Sequence, residues 1–159
     1  MKNIVLTRID DRLIHGQVVT AWIKQYPVTQ ILIIDDELST NRLMERIYTA
    51  AAPIGIGIWI KSVQDAIAFL HEDAQDGENY LILVKVPQTI EALLESDIKI
   101  GKVILGGMGA KQGRKTFNRN ISANQDETDS FRRIIDRGTE IFYQLVPNDK
   151  AVNIKSILD

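Results

Sequence analysis

Cysteine is missing from the 159-residue chain, which removes disulfides, thiolate metal sites and a cysteine nucleophile in one step. No apolar run approaches the ~18 residues that a membrane-spanning helix requires. The start, Met1-Lys2-Asn3, leads straight into a short apolar segment without the roughly 7–15-residue core of a secretory signal. Net charge is only −2, so no global basic field recruits nucleic acid or an anionic membrane. Aromatic residues are few and form no stripe suited to base stacking, and neither a Gly-x-Ser-x-Gly elbow nor a zinc spacing occurs. Together these absences fit a cytoplasmic protein that meets a membrane only through a partner.

The composition, 45% apolar and 25% charged, is that of a globular chain rather than a disordered one. Its length suits one domain over residues 1–159, burying about two thirds of the surface of the unfolded chain. Short apolar runs alternate with helical periods. Strands are expected at Asn3–Leu6, Gln30–Ile34, Ile56–Ile60, Tyr80–Val84, Lys102–Leu105 and Glu140–Val146. Helices are expected at Gln17–Gln25, from about Thr40 to just before Pro53, at Val63–His71 with Ser62 as cap, and at Thr89–Leu94. Another runs from Ser122 or Asn124 to Arg137, ended by Gly138, and a short one closes the chain at Val152–Leu158. Near-continuous apolar strands separated by helices predict an α/β three-layer sandwich: a mostly parallel central sheet with helices on both faces. Ligands in such folds sit beyond the carboxyl ends of the strands. The loops there are Arg8–His15, Asp35–Thr40, Lys61-Ser62, Lys85–Thr89 and Gly106–Thr116, four of them bearing Lys or Arg.

The densest chemistry lies in Arg8-Ile9-Asp10-Asp11-Arg12-Leu13-Ile14-His15-Gly16, just before the first helix. One of only two histidines stands there among two arginines and two aspartates. An imidazole at a helix start, beside guanidinium groups, suits a transient phosphoryl carrier: the ring is the nucleophile, while arginines and free helix N–H groups take the phosphoryl oxygens. The competing reading is a structural histidine that hydrogen-bonds the loop. Asp10-Asp11 with Asp35-Asp36-Glu37 could instead hold Mg²⁺, but no third carboxylate position completes the set, so capping and orienting roles are expected. The stretch Gly106–Thr116 misses the Walker spacing and the dinucleotide spacing by one residue each, which leaves a flexible basic loop. His71 at a helix end reads as structural, and Trp22 and Trp59 fall at core or sheet positions.

The run Arg8-Ile9-Asp10-Asp11-Arg12-Leu13-Ile14-His15-Gly16-Gln17-Val18, followed by Trp22, resembles the signature of the IIB component of the mannose/fructose/sorbose family of bacterial sugar phosphotransferase systems. The likeness extends through Ile34-Asp35-Asp36, Ala51-Ala52-Pro53, Leu105–Gly109 with Gly113-Arg114-Lys115, and Gln144–Pro147. The chain departs from it at Leu38-Ser39-Thr40-Asn41, which touches local contacts rather than chemistry. The resemblance implies a cytoplasmic carrier, peripherally associated with its transporter. It takes a phosphoryl group from a phosphohistidine of IIA onto the pros nitrogen of His15 and passes it to a sugar held by the membrane components IIC and IID. On this reading Arg12 contacts the phosphoryl oxygens, with Arg8 second or bound to Asp10 to fix the loop. The N–H groups of Gly16 and Gln17 complete the cradle, and no metal or cofactor is required. An apolar patch with Leu13 and Ile14 and a basic rim with Lys111 or Arg114 is expected to receive an acidic face of IIA. The identity of the sugar and self-association are left open. Two rivals are a regulatory module that never carries phosphate, and a metal-dependent hydrolase using Asp10 or Asp35.

Overall fold

A computed structural model describes residues 1–158. In chain order it contains β1 (Asn3–Asp10), α1 (Gly16–Gln25), β2 (Gln30–Ile34), a 3₁₀ turn (Leu38–Thr40), α2 (Arg42–Ala51), β3 (Gly57–Lys61), α3 (Val63–His71), β4 (Asn79–Val84) and α4 (Pro87–Glu95). There follow β5 (Lys102–Gly107), β6 (Lys115–Asn118), β7 (Ile121–Ala123), α5 (Gln125–Asp136), β8 (Glu140–Tyr143), β9 (Val152–Asn153) and a 3₁₀ turn (Ile154–Ser156). The main sheet has the order β3-β2-β4-β1-β5-β8-β9. All of its pairings are parallel except β8 with β9. Helices cover both faces, so the expected three-layer α/β architecture is present. Among the described residues no helix is long and apolar enough to cross a membrane.

Period two distributes the core. Along β2 and β4, Ile31, Ile33, Leu81 and Leu83 pack with α1, including Val19 and Trp22. The alternate residues Leu32, Ile34, Ile82 and Val84 pack with α3, α4 and α5 through Phe69, Leu70, Ile90, Leu93, Phe131 and Ile134. Burial on both faces explains why these strands read as unbroken apolar runs. In β1 the alternation is shifted by an irregularity between Ile4 and Leu6. Beyond it Leu6 and Arg8 face α1, whereas Ile9 faces the other layer.

The helix ends follow local chemistry. Ser62 accepts from the Asp65 N–H at 3.1 Å, and Asn41 from Met44 at 3.1 Å. At α5, Asn124 and Glu127 form a reciprocal capping box. Gly138, at φ +97°, follows the α5 cap residue Arg137.

Three expectations are corrected. First, β1 continues through Arg8 and Asp10, where the sequence pattern points to a loop; charged residues occupy a strand here because they pair with one another inside. Second, β8 ends at Tyr143 rather than Val146. The carbonyls of Gln144 and Leu145 leave the ladder and accept from Arg8 Nη1 at 3.2 Å and Trp22 Nε1 at 2.8 Å. Third, Val152–Leu158 is no helix but a two-residue antiparallel strand with a 3₁₀ turn, and the basic loop runs on into the unpredicted hairpin β6–β7. Trp59 takes its expected sheet position, on edge strand β3 at 39% exposure, packed on Phe69 and donating to Gln30 Oε1.

Candidate functional site

The connections after β1 and β5 leave toward opposite faces of the sheet: α1 packs on one face, and α5 with the β6–β7 hairpin on the other. A crevice at the carboxyl ends of these adjacent strands is where α/β folds place ligands. The last residue of β1, Asp10, stands at its base with a side chain only 1% exposed.

Asp10 is the hub. Its Oδ1 accepts from the Arg12 backbone N–H at 3.1 Å and from Arg12 Nε at 3.0 Å. Its Oδ2 accepts from Arg12 Nη2 at 3.0 Å and Arg8 Nη2 at 3.2 Å, and faces His15 Nε2 at 3.2 Å. Burial opposes ionisation of this carboxyl, but the hydrogen bonds and charge of Arg12, with Arg8 behind it, outweigh that and hold its pKa below the ordinary value. It is therefore a carboxylate at neutral pH, and a fixed carboxylate opposite an imidazole nitrogen draws the N–H to that nitrogen. That assigns the hydrogen to Nε2 and leaves the lone pair on Nδ1.

The two arginines differ. Arg12 is 44% exposed at the crevice mouth. Arg8 is 1% exposed, with its guanidinium carbon 4.9 Å from the centre of the Trp22 ring; burial brings its pKa down to about 10, so it stays charged near neutrality. Of the two positions expected for Arg8, the structure has the one bound to Asp10, with the guanidinium buried.

His15 caps α1 by position only, since its side chain makes no capping bond, and the ring is 22% exposed. The turn reaching it uses left-handed backbone twice, at Leu13 (φ +57°) and Gly16 (φ +47°). At φ +47° Gly16 answers a backbone requirement, and beyond its chain neighbours a Cβ there would meet nothing within 4 Å. Leu13 tolerates the strain because its side chain, 1% exposed, is sunk in the α1-side core. The expected apolar docking patch is thus corrected: Leu13 and Ile14 are both buried, where they anchor the turn.

The opposite wall is the glycine segment after β5. Asp11 Oδ2 accepts from the Gly109 N–H at 2.7 Å and from Arg114 Nη1 at 3.3 Å. Arg114 also donates to the Gly109 carbonyl at 2.8 Å and to both oxygens of Glu127, at 2.9 and 2.7 Å. At 2% exposure it pins three segments together, so it is no basic rim residue; Lys111 remains exposed. The carboxylates that the sequence offers as metal candidates serve the backbone as well: Asp35 accepts from Leu38 at 3.0 Å and Asp36 from Val63 at 2.8 Å. Among the described residues no cluster of three or more His, Asp or Glu side chains is arranged to hold a metal. His71 faces the Ser96 carbonyl at 2.8 Å, far along the chain from this crevice.

Sequence reasoning misses why Gly106 and Gly107 are glycines. A Cβ on Gly106 would collide with the Arg8 guanidinium and reach within 2.9 Å of Asp10 Oδ2. One on Gly107 would lie 2.8 Å from Arg12 Nη2 and 3.1 Å from Asp10 Oδ1. The charged cluster packs directly on the bare backbone of β5. Since Trp22 closes the other side of Arg8, Gly106→Ala is expected to cost about 1–3 kcal/mol by overpacking. Gly109→Ala, whose Cβ would make an ordinary 3.5 Å contact with Asp11, should be close to neutral. Chemical denaturation of the two variants checks the contrast.

A family model for the "PTS system sorbose subfamily IIB component" matches residues 4–159. The mannose-specific EIIAB component of Escherichia coli (strain K12) is 32% identical over 153 residues; the match covers 96% of this chain and 47% of that protein, so the chain spans about half its length. The sorbose-specific EIIB component of Lacticaseibacillus casei is 31% identical over 156 residues, covering 98% of this chain and 95% of the relative. Among solved structures, the IIBSor domain of the sorbose permease from Klebsiella pneumoniae superposes with a TM-score of 0.91 at 29% identity, covering 97% of this chain and 94% of that one.

Proposed function

Because the chain belongs to the sorbose subfamily of PTS IIB components, we propose that it acts, as one domain over residues 1–159, as a phosphoryl carrier on His15. The observation supporting this most directly is the His15–Asp10 contact at 3.2 Å. With Nε2–H turned into the buried carboxylate, Nδ1 is the nucleophile, on a ring that shares that carboxylate with the exposed Arg12. In the first step the Nδ1 lone pair attacks phosphorus of a phosphohistidine on IIA. A new N–P bond forms at His15 as the donor's N–P bond breaks, through a loose, metaphosphate-like state. In the second step the His15 N–P bond breaks and an O–P bond forms to a sugar hydroxyl, whose proton leaves to a base.

The protein's part is placement and charge. Arg12 spends Nε and Nη2 on Asp10, and its Nη1 is the arm that meets the phosphoryl oxygens. The first-turn N–H groups of Gly16 and Gln17 lie beside His15 at the helix N-terminus, where backbone donors lack intrahelical partners. Asp10, kept ionised by Arg12 first and Arg8 second, stabilises the imidazolium-like character that the ring gains on phosphorylation. Arginine charge meets the phosphoryl charge, so the reading needs no metal or cofactor. The sugar is held by IIC and IID, which decide between hexoses, and the carrier works peripherally on the cytoplasmic side of that complex.

Incubation with phosphoenolpyruvate, enzyme I, HPr and the cognate IIA tests the proposal by intact mass. One added phosphoryl group, acid-labile and base-stable and mapped to His15, is the expected result. An unmodified chain beside fully phosphorylated IIA overturns it.

A further inference from the structure

We propose that Trp22, which stands outside the crevice, is a positioning residue that sets the orientation and tautomer of His15 through Arg8 and Asp10. The inference deepens the carrier reading and rests on it for its kinetic consequence alone. Trp22 lies seven residues after His15 on α1 and is 1% exposed. Its indole N–H is tied to the Leu145 carbonyl at 2.8 Å, which fixes the ring against the segment after β8. The Arg8 guanidinium sits 4.9 Å from the ring centre. The same guanidinium binds the Gln144 carbonyl at 3.2 Å and Asp10 Oδ2 at 3.2 Å, and that oxygen faces His15 Nε2 at 3.2 Å.

Arg8 is boxed in. The indole stands on one side, and the backbone of Gly106 approaches so closely on another that a Cβ would strike Nη2. A desolvated cation with one carboxylate, one carbonyl and one aromatic ring for company depends on each of them. A guanidinium drawn away from the ring would drag Oδ2 of Asp10 with it, and Oδ2 is the atom that faces His15. Since Trp22 lies in α1 and His15 at its N-cap, the helix also transmits its own position to the carboxylate that orients its cap residue. A buried indole N–H needs an acceptor in any case; the guanidinium held over the ring face is what distinguishes Trp22 from an ordinary core tryptophan.

The test replaces Trp22 with tryptophans bearing one, two and four ring fluorines, in a Trp59→Phe background. Fluorine drains the ring's negative face while nearly preserving its volume, so folding is retained as the cation–π contact weakens. Two readouts are taken on the full chain. Ring ¹⁵N shifts of unphosphorylated His15 report the tautomer, and single-turnover transfer from phosphorylated IIA separates kcat from KM. The expected result is a growing share of the Nδ1–H tautomer and a graded fall in kcat, reaching about tenfold at four fluorines, with KM unchanged. Trp22→Phe should retain more of the rate than Trp22→Leu, because only the former keeps a ring under the cation. A flat tautomer across the series overturns the inference, even if stability falls. The tautomer arm is independent of phosphorylation: a chain that never accepts phosphate would sink the carrier reading, and the ¹⁵N shifts would still decide whether Trp22 positions His15.

Discussion

Replacing His15 by alanine should reduce phosphoryl acceptance below detection while leaving the melting temperature almost where it was. The activity half follows from the atom lost: without Nδ1 the crevice has no nucleophile. The only other histidine, His71, ends α3, which runs from the carboxyl ends of the strands to their amino ends, and its Nε2 faces the Ser96 carbonyl. The stability half follows from what His15 does not hold. It makes no capping hydrogen bond at α1, so alanine forfeits none of the ~1 kcal/mol that a true cap contributes. Asp10 keeps both arginines when the imidazole goes, so no buried charge is orphaned, and the net loss should stay within about 1 kcal/mol. Intact mass after the phosphorylation relay and a thermal melt measure the two halves. A variant that still gains an acid-labile phosphoryl group would move the carrier elsewhere. A variant that loses activity only because it unfolds would restore the reading of His15 as a structural histidine.

Much of the architecture is legible in the sequence because the strongest signals in this chain are local. Tyr80–Val84 and Gln30–Ile34 read as strands covered on both faces, Ser62 as a cap, Ser122 or Asn124 as a helix start that the structure settles on Asn124, and Gly138 as a stop, each through chemistry settled within a few residues. What misleads is the tertiary exchange of hydrogen bonds. Little that is local says that Arg8 belongs inside a strand, because apart from Asp10 its partners are the Trp22 ring and the Gln144 carbonyl, 136 residues away. Nor does anything local end β8 at Tyr143, since the carbonyls leaving the ladder there are claimed by Trp22 and Arg8. The candidate site shows the same division. The cluster of His15, Arg12 and Asp10 is visible as a run of chemistry. The separation of work between Asp10, which faces His15, and Asp11, which fastens the glycine segment through Gly109 and Arg114, needs the fold. One signal lies within reach of the sequence: beside a motif this rich in charge, glycines at 106 and 107 mark where side chains of that charge press on bare backbone.

Asp10→Asn is the substitution from which the largest combined loss is expected. The change is nearly isosteric, so its effects are electrostatic. Arg8, 1% exposed, loses its carboxylate partner, and a buried ion left without its counter-ion costs about 3–5 kcal/mol. For a chain of this length that corresponds to a fall in melting temperature of about 6–20 °C. Some of this returns through the amide oxygen, which still accepts one hydrogen bond, but Arg8, Arg12 and His15 now compete for it. Catalytically, the amide no longer selects the Nε2–H tautomer, since its NH₂ end can donate to the ring as readily as its oxygen accepts. Nδ1 then carries the proton in part of the population, and the phosphorylated ring loses the carboxylate beside its positive charge. Transfer from IIA should drop about 10²-fold, in line with loss of a carboxylate that orients a functional imidazole. Asp11→Asn is the control with equal chemistry. Asp11 is 20% exposed, its oxygen can still accept from the Gly109 N–H as an amide, and Arg114 keeps both hydrogen bonds to Glu127. Its cost should be near 1 kcal/mol. Paired melts and single-turnover rates decide the matter: equal losses at positions 10 and 11 would mean that the motif's negative charge matters only in sum, and that Asp10 has no special hold on His15.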